Sequence, residues 1–171
     1  MARSHRSNSV TSGLPVHALP GGADSHRSLT IDGLVSRRLV LDQVDFAALP
    51  HRVLASDFGC EEGWTVPELR WRGVALSTLA ELVQPLADAL WIRVCAGPYE
   101  VSVDIAQHAD ALLCDELNGD PLTTEHGVPW RLVVPGEKCF TSVKWVDRLE
   151  FTSRPGEPVG ERIARARLQQ L

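Results

Sequence analysis

Between Leu29 and Phe151 the apolar residues come in short runs, each cut off within a few positions by Gly, Pro or an Asn-Gly or Asp-Gly pair. A long helix needs sustained 3.6-residue periodicity, so this punctuation selects strands and turns with only short helices between them. Strands are expected at 29–31, 38–41, 51–58, 90–95, 99–103, 112–114, 130–134, 143–146 and 149–151. Asp32-Gly33 and Asn118-Gly119 are hairpin signals. Asp42 is placed to cap a short helix ending before Pro50, and Ser77 to cap one carrying Leu79, Leu82 and Val83 that stops at Pro85. A further short helix is expected after Asp104.

The 171 residues, 44% of them hydrophobic, suffice for one substantial core and favour a single domain. Residues 1–28, rich in Ser, Arg, His, Gly and Pro, read as a flexible leader, 29–152 as the folded domain, and 153–171 as a tail with a loose helix over 161–171. The formal charge of -5 lacks the basic excess of a nucleic-acid binder. Arg3 and Arg6 precede no apolar stretch, and no run is long enough for a membrane-spanning helix, which together lead to an expected cytoplasmic location. The four cysteines, Cys60, Cys95, Cys114 and Cys139, form no CxxC, so no zinc knuckle or dithiol motif is present, and four free thiols are expected.

Three blocks carry the chemistry. They are Asp57-Phe58-Gly59-Cys60-Glu61-Glu62-Gly63-Trp64, Glu116-Leu117-Asn118-Gly119-Asp120-Pro121-Leu122, and Glu125-His126-Gly127-Val128-Pro129-Trp130-Arg131-Leu132-Val133-Val134-Pro135-Gly136 followed by Ser142-Val143-Lys144-Trp145-Val146. In this order and spacing, over about residues 29–152, the chain resembles the molybdopterin-binding domain of the sulfite oxidase family. The closer likeness is to the bacterial branch that includes methionine sulfoxide reductase catalytic subunits. The resemblance implies an α+β fold, mostly β-sheet with short helices, holding a molybdenum–molybdopterin cofactor that moves an oxygen atom to or from a small-molecule substrate.

The resemblance also implies roles for individual residues. Cys60 becomes the thiolate ligand of the metal, in keeping with the preference of a soft metal for sulfur. Arg131 and Lys144 hold the pterin and its terminal phosphate, and the backbone amides of Ser142, Val143 and Lys144 form an anion nest. His126 and Cys95 contact the cofactor, and Tyr99 places its hydroxyl on the substrate side of the metal. Read without the resemblance, the same residues are a buried thiol, solvated strand charges, a surface-turn histidine, a core cysteine and a half-buried aromatic.

The chain departs from the pattern at Glu61-Glu62, where sulfite oxidases carry arginines for an anionic substrate, and at Cys139, where a glycine is common. No haem, flavin or iron–sulfur motif is present, so a separate electron-transfer protein is the expected partner. The rival readings are a non-catalytic pterin-binding module and an interaction domain in which Cys60 is only a thiol.

Overall fold

The computed structural model describes Leu14 and residues 28–59, 65–137 and 139–169. Among the described residues, ten strands make two sheets. The first has the order β2 (Leu39–Asp42), β1 (Ser28–Gly33), β10 (Arg148–Thr152), β5 (Trp91–Ala96), β6 (Tyr99–Asp104), with β1 and β10 parallel and the other pairs antiparallel. The second runs β3 (Arg52–Gly59), β4 (Thr65–Ala75), β7 (Leu112–Leu117), β8 (Asp120–Pro121), and β9 (Arg131–Val133) also pairs with β7. The helices are α1 (Gln43–Ala47), α2 (Leu76–Val83) and α3 (Val159–Leu168). This is the expected mostly-sheet α+β architecture.

Period-two alternation divides the apolar residues between two clusters. Leu29 and Ile31 of β1, Ile92 and Val94 of β5, and Leu149 and Phe151 of β10 meet Val74, Leu113 and Leu132 of the second sheet, with Leu76, Leu79 and Val83 of α2, in the main core. The residues next to them along the second sheet, Leu112, Cys114 and Val133, turn to its other face. There they join Phe58, Leu69, Trp71 and Leu117 in a second cluster. Leu14, within the stretch expected to be a flexible leader, is buried in this second cluster.

Several elements differ from expectation. β4, eleven residues long, replaces what reads as irregular sequence: Leu69 and Trp71 alternate inward against Arg70 and Arg72, but Pro67 and Glu68, the latter at φ 55°, interrupt the pattern. α2 starts after Ala75 with no side-chain cap, so Ser77 lies inside it, and it ends at Gln84 in the left-handed conformation. β1 and β2 are joined through residues 34–38 and not a tight Asp-Gly turn, because Val35 bridges to Pro85. No helix follows Asp104, whose Oδ1 accepts from the amides of Ala106 and Gln107 and closes a turn instead. Residues 143–146 are not a strand; Trp145 sits at φ 58° and the segment loops back over β9.

The Asp42 cap is present as expected: its carboxylate accepts from the Asp45 amide at 2.8 Å, and Asp45 answers to the Asp42 amide at 3.5 Å. Asp42→Ala is expected to lower stability by about 1 kcal/mol, read as a shift of the urea midpoint with unchanged slope.

Candidate cofactor site

β9 puts Leu132 into the main core, and the same alternation drives Arg131 into the second, apolar cluster. Arg131 is 4% exposed. Its guanidinium carbon lies 5.0 Å from the centroids of both the Phe58 and the Trp71 rings, and Cys114 faces it across β7. Two ring faces offset part of the cost of burying the charge. Its polar contacts do not: Nη1 reaches the His126 carbonyl only at 3.5 Å, and Nε has no partner. No carboxylate among the described residues pairs with it. Burial pushes its pKa down to about 10, against a small opposing pull from Cys114.

Two more basic groups stand beside it. Residues Thr124–His126 form a 3-10 turn that ends at Gly127, φ 110°. A Cβ on Gly127 would lie 3.0 Å from both Cα and Cβ of Lys144 and 3.3 Å from Cβ of Arg131, so the backbone passes between the two basic residues where only glycine fits without displacement. Lys144 Nζ donates to the Glu125 carbonyl at 2.7 Å and lies 5.6 Å from the Trp145 ring. Trp145 in turn donates from Nε1 to the Thr124 carbonyl and from its amide to Gly127. Burial first, then Arg131, pushes Lys144 down to about 8, partly opposed by Glu125. His126, its Nδ1 2.9 Å from Thr123 Oγ1, is held below the usual histidine range by burial, then by Lys144 and Arg131. Mutually repelling cations gathered in a half-buried cradle are the electrostatics of an anion site.

Other expected site residues fall elsewhere. Within the Cys139–Thr141 turn and just beyond it, the amides of Ser142 and Val143 donate to the carbonyls of Cys139 and Thr141. Neither amide is aimed at a ligand, while the Ser142 side chain is buried beside the turn and Val143 packs in the main core. Cys95 and Tyr99 belong to the first sheet. Burial raises the Cys95 thiol to about 11, with Glu100 adding to the effect, and its Sγ donates to the Arg93 carbonyl. The Tyr99 hydroxyl donates to the Phe140 carbonyl at 2.8 Å. Among the described residues Cys95 and Cys114 are free thiols, whereas Cys139 is disulfide-bonded, which corrects the expectation of a free thiol at that position; widely spaced cysteines carry no local signal of pairing.

Cys60, with Glu61, Glu62 and Trp64, lies outside the described residues. Its flanks do not: Gly59 pairs with Thr65 at the end of the β3–β4 ladder, one residue past the Phe58 ring that covers Arg131. Sequence reasoning missed Phe58, Trp71 and Cys114 as the walls around Arg131. The available signal was alternation, which puts Trp71, Cys114 and Arg131 on one face of neighbouring strands.

The family model for the oxidoreductase molybdopterin binding domain matches residues 16–158. The chain is 46% identical over 168 residues to a sulfite oxidase of Arabidopsis thaliana, covering 76% of this chain and 43% of that protein. It is 31% identical over 134 residues to the uncharacterized oxidoreductase YuiH of Bacillus subtilis (75% and 68%), and 26% identical over 156 residues to the protein-methionine-sulfoxide reductase catalytic subunit MsrP of Campylobacter jejuni (80% and 52%). Among solved structures, the sulfane dehydrogenase SoxCD of Paracoccus pantotrophus matches with a TM-score of 0.67 and 27% identity, over 76% of this chain and 39% of that one. The chain thus spans about two thirds of YuiH and about half or less of the other three. By fold, by sequence and by the extent of the match, it belongs to the oxidoreductase molybdopterin-binding domain family.

Proposed function

We propose that this chain is the cofactor-holding domain of a molybdopterin-dependent oxidoreductase that transfers an oxygen atom to or from a small molecule, with Cys60 as the thiolate ligand of the metal. The observation that carries the reading is Arg131: a guanidinium buried among aromatic rings, its Nε without a hydrogen-bond partner, which is the chemistry of an anion site. The donor set suits an anionic pterin. Arg131 and Lys144 would supply charge-assisted hydrogen bonds to its phosphate, His126, neutral near pH 7 by its lowered pKa, would offer one donor and one acceptor, and Gly127 lets the backbone pass close to both basic residues so that they stand together. When bound, the cofactor supplies two-electron chemistry at molybdenum; the protein supplies orientation, charge neutralisation and exclusion of water.

Ser142 and Val143 belong to this site as the turn that presents Lys144, and Cys95 through its backbone, since its carbonyl accepts from the Asp147 amide just beyond that turn. A separate electron-transfer protein is the proposed partner that exchanges electrons with this domain. No helix among the described residues is long and apolar enough to cross a membrane.

The test is the metal and pterin content of the protein made in a cofactor-competent host, beside Cys60→Ser. Near-stoichiometric molybdenum in the wild type that collapses in the variant is the expected result. Well-folded wild-type protein free of molybdenum and pterin would sink the reading and leave the interaction-domain alternative. Metal bound without turnover of sulfoxides or N-oxides, in the presence of an artificial electron donor, would select the non-catalytic module.

A further inference from the structure

The two cationic groups of the cradle differ in how they are held. Arg131 is fixed by a strand within a sheet, whereas Lys144 rides on an irregular segment that includes a non-glycine residue, Trp145, at φ 58°. A bulky residue in the left-handed region is strained and persists only where its surroundings over-determine it.

The surroundings are specific. At one end of the segment, the Tyr99 hydroxyl donates to Phe140 O at 2.8 Å. At the other, the Asp147 amide donates to Cys95 O at 2.9 Å and its carboxylate accepts from the Gly97 amide at 2.8 Å. The β5–β6 hairpin turn therefore grips the segment at both ends, from Cys95 to Tyr99.

The carboxy-terminal segment backs this grip. It crosses β5 and β6 closely: Gly156 donates to Ser102 Oγ, and a Cβ there would lie 2.6 Å from Glu100 Oε1 and 2.7 Å from Arg93 Cδ. Helix α3 then packs on both β6 and the Cys139–Thr141 turn. Gly160 is buried in it, and a Cβ there would meet Tyr99 Oη at 2.7 Å and Val101 Cγ1 at 2.8 Å. The helix backbone is seated on the tyrosine hydroxyl itself.

We propose that Tyr99, held in the Gly160 notch of α3, is a positioning residue: it fixes the Cys139–Thr141 turn and so sets where Lys144 stands in the anion cradle. The proposal rests on the reading of that cradle as the cofactor's phosphate site. It gives Tyr99 a role through Lys144 and not at the metal, and it makes residues 153–169 a brace for the site where the sequence suggests a loose tail.

Tyr99→Phe removes one hydroxyl and keeps the ring; Gly160→Ala keeps the hydroxyl and pushes the helix off it. Both are compared with wild type as the full chain made in a host without the cofactor pathway. The chain has two lysines, Lys138 and Lys144, so acylation of the Lys144 amine at fixed pH is read cleanly by peptide mass spectrometry. Amide hydrogen exchange is followed alongside it. In both variants Lys144 is expected to react about fivefold faster, the weight of roughly one net hydrogen bond, with faster exchange confined to residues 139–147.

Wild-type reactivity and exchange in both variants would overturn the proposal. So would exchange rising evenly over both sheets, which would make Tyr99 an ordinary packing residue. Pterin retention of the same variants from a competent host is then measured: if wild type itself retains none, the cofactor reading fails while the Lys144 comparison still decides the positioning role.

Discussion

Arg131→Met is expected to strip the protein of its cofactor and, at the same time, to make the cofactor-free chain more stable. The two effects have one cause. Moving the Arg131 pKa from 12.5 to about 10 corresponds to about 3 kcal/mol against the charged form in the cofactor-free fold. Contacts with Phe58 and Trp71 return part of that, about 2 kcal/mol where desolvated. Methionine fills a similar volume, keeps favourable sulfur–aromatic contact and carries no charge to desolvate, so a net gain of about 1–2 kcal/mol is expected. Charge-assisted bonds to a phosphate contribute about 1.5–3 kcal/mol each, so losing the guanidinium is expected to weaken cofactor retention about 100-fold or more. Urea unfolding of the cofactor-free protein and pterin content after gel filtration check the pair. A variant that loses the cofactor because it is less stable would show Arg131 to be a structural cation, its charge satisfied by the rings.

What the sequence made legible follows from how local each signal is. The Asp42 cap and the Asn118-Gly119 turn, both of whose residues have positive φ, are decided within a few residues, and both are found. The apolar runs mark most strands for the same reason. β4 escaped because Pro67, Glu68 and the two arginines mask a period-two pattern whose inward members, Leu69 and Trp71, are few. The parallel pairing of β1 with β10 joins Thr30 to Arg148, and no local rule anticipates it.

At the site, the resemblance selected His126, Arg131 and Lys144, and the structure brings these together with one another and with Gly127. It does not bring the Tyr99 hydroxyl or the Cys95 thiol among them, since the partners of both, Phe140 and Arg93, are set by the fold of the first sheet. The buried setting of Arg131 was half legible: a charge flanked by Trp130, Leu132 and Val133 must find a partner if it points inward. Which face it takes is settled only by pairing with β7.

Cofactor retention is expected to fall as pH rises from about 8, and the stability of the cofactor-free protein to rise over the same window. In the folded, cofactor-free protein Lys144 titrates near 8 because burial and Arg131 disfavour its charge, while in the unfolded chain it titrates near 10.5. Between these values the unfolded state binds more protons than the folded one, so unfolding becomes harder as pH increases. An anion bound beside the ammonium favours its charged form and raises its pKa, so above 8 binding must take up a proton. Affinity then drops by up to about tenfold per pH unit until the bound-state pKa is reached. Arg131 keeps its charge until about 10, so the first step of the decline belongs to Lys144. Lys144→Met should bind more weakly at pH 7 and show neither trend. The measurement is pterin release and urea midpoint at half-unit intervals from pH 7 to 9.5. Parallel rather than opposed slopes would mean that the group titrating there serves the fold and not the anion. A wild-type release curve as flat as that of Lys144→Met would remove Lys144 from the cofactor's contacts, leaving Arg131 as the cation that holds it.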